Sequence, residues 1–154
     1  MINIEMAEDY IKRATRYAKE AERALSDGDF PTTVRRSQEA LELAVKAVLR
    51  YLAIEYPKEH DVGDALSEVT EKVPDYLKSR IPEMKGLLSE LARVRGPALY
   101  GYEREGIPAS EAFSNEYASS TFEKVSRIVN LCEKYLQTMP RTVKNNPTHT
   151  KKEE

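Results

Sequence analysis

The stretch Ala118–Leu136, ASSTFEKVSRIVNLCEKYL, decides the fold class. Apolar side chains recur at Ala118, Phe122, Val125, Val129, Cys132 and Leu136, in alternating steps of four and three. That spacing lays one continuous apolar stripe along a helix. The helix is predicted to start near Pro108-Ala109-Ser110 and to stop at Pro140, which can neither donate a backbone N–H nor leave room for the preceding turn.

The same periodicity extends upstream. From Glu5 to Leu25, Ala7, Tyr10, Ala14, Tyr17, Ala21 and Ala24 mark one helical face. Its alanines let a neighbouring helix come close. Ser26-Asp27-Gly28-Asp29 ends that helix and offers Asp29 as a cap for the next. A second helix is predicted from about Pro31 to Glu55, with Val34, Leu41, Val45, Val48 and Leu52 on one side and Ala44 beside them. The short connection favours an antiparallel hairpin. Asp61 to Glu71 reads as a short third helix with Val62, Ala65, Leu66 and Val69 inward. A fourth runs from about Pro82 to Arg95 on a stripe of Met84, Leu87, Leu91 and Val94, and Gly96-Pro97 should end or kink it. Gly101 to Pro108 reads as a polar connection.

The expected architecture is therefore all-α: an antiparallel up-down bundle of about four long helices plus a short helix, over residues 1–139. Leu41, Val45, Val48, Phe122, Val125 and Val129 are expected in its core. Residues 140–154 lack apolar anchors and read as a disordered tail.

Composition narrows the function. The formal net charge is −2, so any contact with nucleic acid must come from a local patch. Cys132 is the single cysteine and falls on an apolar stripe, which suits a buried thiol and excludes an internal disulfide. The N-terminal residues lack a basic leader and an apolar run, and no stretch approaches the length of a membrane span. The expectation is a cytoplasmic protein without a membrane segment. There is no phosphate-cradling glycine loop and no dinucleotide fingerprint, so no cofactor is expected. No metal is expected either. His60, Asp61 and Asp64 could share a helix face, but capping explains the aspartates more simply. Arg35 and Arg36 read as a solvated or partner-facing pair.

One segment, Arg93-Val94-Arg95-Gly96-Pro97-Ala98-Leu99-Tyr100-Gly101-Tyr102, carries candidate chemistry. Arg95 follows Leu91 by four residues and so borders the apolar face of the fourth helix. A charge placed there must be paired, solvated in a cleft or used. A helix break and two tyrosines flanking a glycine come next. A guanidinium beside phenols could hold a phosphate or a base. An arginine–carboxylate pair with packed tyrosines is the structural alternative.

The chain resembles the HEPN family, the higher-eukaryote and prokaryote nucleotide-binding domain. The similarity lies in Arg36–Ala47, in the Pro57–Val62 turn, and in a segment similar to the family's R-x-x-x-x-H-x-Y motif, here Arg95, four residues, Tyr100, one residue, Tyr102. It runs from about Met6 to Leu136. The resemblance implies a homodimer whose two motifs meet in a composite cleft that binds nucleotide or RNA. In the family's metal-independent ribonucleases the histidine helps activate the ribose 2′-hydroxyl, and the arginine stabilises charge on the phosphate. Here Tyr100 stands in the histidine position. A tyrosine phenol ionises near pH ~10 and is a poor base at neutrality. Other members pair with a nucleotidyltransferase that can modify the motif's last tyrosine, the position of Tyr102. The resemblance thus implies binding at Arg95, Tyr100 and Tyr102 with a degenerate ribonuclease motif. The alternatives are an active toxin-type ribonuclease and a structural adaptor for another protein.

Overall fold

The computed structural model describes residues 2–56 and 62–140. His60 and Asp61, most of the Pro57–Val62 turn and the tail lie outside the described residues. Helices α1 (Ile2–Ser26), α2 (Phe30–Tyr51), α3 (Leu66–Val69), α4 (Asp75–Lys78), α5 (Ile81–Arg93), α6 (Arg95–Tyr100), α7 (Ala109–Ala112) and α8 (Asn115–Thr138) follow in order. The fold is an all-α bundle, as the periodicity requires. No helix among the described residues is long and apolar enough to cross a membrane.

Helix α2 lies at the centre. Asp29 caps it by accepting a hydrogen bond from the Thr32 amide, and Pro31 sits in its first turn. Two of its faces are buried. Thr33, Ser37, Ala40, Ala44, Ala47 and Tyr51 form a mostly small strip. Val34, Leu41, Val45 and Val48 form a branched one. Helix α1 offers Ile4, Ala7, Ile11, Ala14 and Ala21 in matching heptad spacing, a pattern suited to closely packed antiparallel helices. Arg36 of α2 meets Glu20 of α1 at 3.0 Å. Arg50 reaches Asn3 Oδ1 at 3.2 Å. These two links tie both ends of the hairpin and place its small-residue strip against α1.

The directions of the other helices follow from their contacts. Tyr51 and Tyr135 meet edge to face at 5.8 Å, so α8 ends where α2 ends. The Tyr51 hydroxyl donates to the Pro140 carbonyl at 2.9 Å. Val45, Val48, Ile81, Met84 and Cys132 line one small internal void, which places the start of α5 at that same end. The end of α5 meets the start of α8 through Tyr117 and Glu90, 2.7 Å apart. The long helices therefore run up, down, up and down.

The structure corrects several sequence expectations. The third helix shortens to Leu66–Val69, although Val62, Ala65, Leu66 and Val69 are buried as expected. The last helix is split: Phe113 is extended, and Ser114 restarts the chain by accepting from the Tyr117 amide. The buried face of α8 is Ala118, Thr121, Val125, Ile128, Val129, Cys132 and Tyr135. It is rotated from the stripe read in the sequence, which passed over Thr121 because that residue carries a polar atom. Phe122 is only half-buried and lies outside the core cluster. Burial holds the Cys132 thiol up at about 12, so it stays protonated and unreactive.

Leu41 is fully buried, so Leu41→Ala is expected to cost roughly 2–5 kcal/mol in chemical denaturation. Phe122→Ala should cost less than that, since part of its ring stays in water after folding. Equal losses at the two positions would contradict this rotation of α8.

Candidate functional site

Arg95, Tyr100 and Tyr102 occupy one end of the bundle, where α5 gives way to α6. Pro97 sets the break. It has no amide to donate to the Arg93 carbonyl, and its ring crowds that group. Helix α5 accordingly stops at Arg93 and turns at Val94, with φ −94° and ψ 6°. Helix α6 starts at once with Arg95, and the Ala98 amide donates to the Val94 carbonyl at 3.0 Å. Gly96 tolerates helical angles before proline because it has no Cβ to clash with the ring. The kink therefore falls before Arg95 rather than at Gly96-Pro97.

That break also moves Arg95. Continued from Leu91, the α5 register would set it beside the core. After the turn at Val94 the register is lost. Arg95 is exposed and makes no hydrogen bond or ion pair with a described residue. Arg93 is the paired arginine: its Nη2 donates to Glu90 Oε1 at 2.7 Å. Glu90 also accepts from the Tyr117 hydroxyl at 2.7 Å. The Arg93 hydrogen bond, then that of Tyr117, holds the Glu90 carboxyl below its usual range. Burial, and then Glu90, push the Tyr117 phenol up to about 12. Phe113 packs beside Tyr117 with ring centres 5.7 Å apart. This brace joins α5 to α8. The spacing of its residues gave no signal of it, because Glu90 and Tyr117 are 27 positions apart.

Helix α6 ends at Gly101, with φ 74° and ψ −162°. Side chains other than glycine essentially never occupy that region. A Cβ there would also lie 2.2 Å from the Ile107 carbonyl oxygen. The close approach lets Tyr102 and Ile107 exchange two hydrogen bonds, 2.8 and 3.0 Å long. The connection read as merely polar is thus a small closed hairpin, with Gly106 at φ 70° near its turn. Tyr100 is 67% exposed and Tyr102 37%.

Within a single chain all three residues are exposed. Two sizeable cavities, of about 540 and 440 Å³, lie elsewhere. Ile4, Ile11, Tyr51, Leu136 and Met139 line the first, and Asn3, Arg50 and Tyr56 the second. Arg36, weighed in the sequence as a solvated or partner-facing residue, binds Glu20 and Glu39. Asp64 is exposed. No group of metal-binding side chains occurs among the described residues.

Two outcomes follow from this geometry. Gly101→Ala should lower stability by at least about 1–3 kcal/mol in thermal or urea melts, because both its dihedral angles and its neighbours exclude a methyl group. The stability that Glu90 contributes is present above the ordinary carboxylate range and is lost as pH falls through its lowered value. Glu90→Gln should therefore flatten the acid limb of a stability-against-pH curve. An unchanged limb would remove the brace from the account.

The family model of the HEPN domain matches residues 7–135, from the first turns of α1 almost to the end of α8. Neither the curated proteins nor the solved structures gave a match. The matched span includes every element that builds the site, and the chain belongs to the HEPN domain family, with the nucleotide- or RNA-related role that this membership implies.

Proposed function

We propose that this protein is a HEPN homodimer that binds nucleotide or RNA through Arg95, Tyr100 and Tyr102 and cleaves RNA poorly or not at all. The observation that carries the reading is the exposed Arg95, free of any carboxylate among the described residues and followed by two exposed tyrosines. A guanidinium with no internal partner keeps its charge and its planar donors for a phosphate. Cleavage needs, besides the arginine, a group that accepts a proton near neutral pH. The motif offers a phenol at that position. Tyr102 stands at the motif's last tyrosine, with its side chain exposed. It is the residue that a partner nucleotidyltransferase would modify.

Purified protein and labelled RNA test the proposal. Arg95→Ala should weaken binding by roughly tenfold or more, as loss of a charge-assisted contact does, with little change in melting temperature. Tyr100→His should create or raise metal-independent ribonuclease activity. Light scattering should give twice the monomer mass of 17.6 kDa. Robust cleavage by the parent, abolished in Arg95→Ala, would replace this reading with that of an active ribonuclease. Unchanged binding in Arg95→Ala would leave the segment a structural role.

A further inference from the structure

We propose that the cavity of about 440 Å³ at the C-terminal end of α2 binds a small zwitterion, an α-amino acid with an apolar side chain, whose carboxylate meets Arg50 and whose ammonium group meets Glu55. The site lies away from the break between α5 and α6 and uses none of the residues assigned there.

Asn3, Arg50, Ala53, Ile54, Glu55 and Tyr56 line the cavity. Its volume falls within the roughly 300–1,000 Å³ usual for small-molecule sites. The way α2 ends gives it a wall. Leu52 caps the helix, and Ala53 then turns left-handed with φ 58°, an uncommon conformation for a residue with a Cβ. That turn brings the Ala53 amide onto the Arg50 carbonyl at 3.0 Å and the Ile54 amide onto the Leu49 carbonyl at 2.9 Å. The Val48 carbonyl accepts from the Leu52 amide at 3.0 Å. These last carbonyls of α2 therefore have amide donors and do not draw on the guanidinium of Arg50.

Charge defines the ligand. Arg50 makes no ion pair with a described carboxylate. Its Nη1 donates to Asn3 Oδ1 at 3.2 Å, and its guanidinium lies 6.0 Å from the centre of the Tyr56 ring. Its Nε is buried with no hydrogen-bond partner among the described residues. A half-buried guanidinium ordinarily meets an anion, because its charge is costly to hold away from water. Lys46, which also lies over the Tyr56 ring, is already held by Glu42 at 2.8 Å. Glu55 is the carboxylate of the lining; it is exposed and makes no ion pair with a described residue, Arg50 included. One cavity thus carries a cation and an anion that do not satisfy each other. A simple anion would be repelled by Glu55, and a simple cation by Arg50. A ligand with both charges close together meets each with its opposite. Ala53 and Ile54 supply apolar lining for its side chain.

Isothermal titration calorimetry of the full chain with L-leucine, L-valine and L-phenylalanine tests the site, with 4-methylpentanoate and 3-methylbutylamine as leucine lacking one charge or the other. At least one amino acid is expected to bind saturably. Each half-ligand should bind at least roughly tenfold more weakly than leucine, as loss of a charge-assisted contact does. Glu55→Gln, at an exposed position, and Arg50→Lys, which keeps the charge but loses the planar fork, should each weaken amino-acid binding roughly tenfold. Circular dichroism melts check that both variants fold, and Glu55→Gln decides the matter if Arg50→Lys does not. No binding of any of the three amino acids would overturn the proposal. So would 4-methylpentanoate binding as tightly as leucine, which would make this a plain anion site, or parental affinity in Glu55→Gln.

Discussion

The structure depends on the close antiparallel contact between α1 and α2. Ala40, Ala44 and Ala47 on one helix and Ala7, Ala14 and Ala21 on the other are essentially without exposed surface. Small side chains let the two backbones approach, so the gain comes from many short dispersion contacts rather than from large side chains. The approach frees the opposite face of α2, with Leu41, Val45 and Val48, to pack against α5 and α8. A helix buried on two sides is a rigid central strut, and the other elements take their positions from it. Ser37, on the α1 side of this strip, is likewise fully buried.

The strut separates the molecule into two ends with different chemistry. From Val34 to Tyr51 it spans roughly 25 Å at the usual helical rise. At its C-terminal end Tyr51 and Tyr135 pack on each other, and burial raises both phenols, that of Tyr135 to about 12. Those groups are locked into the fold. At the other end the Glu90–Arg93–Tyr117 brace takes up one arginine, and the next, Arg95, has no partner among the described residues. The contrast between Arg93 and Arg95 is a matter of helix phase: a proline four residues after Arg93 ends α5, and the register that would have carried Arg95 toward the core stops with it.

A net charge of −2 does not oppose an RNA-related role. Binding at a tip needs only a local field, and screening confines that field to about 8–10 Å at physiological salt. Some acidic residues of α1 and α2 are engaged with neighbouring cations, as in Glu20 with Arg36 and Glu42 with Lys46. The stretch from Leu91 to Tyr102 carries arginines alone. The family's motif thus sits at a place where the sequence leaves positive charge unbalanced. Rigidity there comes from Gly101, whose conformation is open to no other residue.

Periodicity by itself determined the helical class, the long helices, the inward residues of α2 and the burial of Cys132, because a heptad stripe has to be covered wherever it occurs. The motif segment was legible for the same local reason: Arg95, Tyr100 and Tyr102 follow one another around a proline and a glycine. Tertiary structure alone decided which face of α8 is buried, since Thr121 and Ile128 rather than Phe122 meet α2 once the helix is rotated to fit its neighbours. It alone decided that α7 and α8 are separate and that the polar connection closes into a hairpin through Tyr102 and Ile107. It also decided how the Arg93–Glu90 pair, local to α5, is joined to α8. That link depends on Tyr117 arriving from α8, 27 positions from Glu90, and a one-dimensional pattern does not encode how two helix ends meet in space.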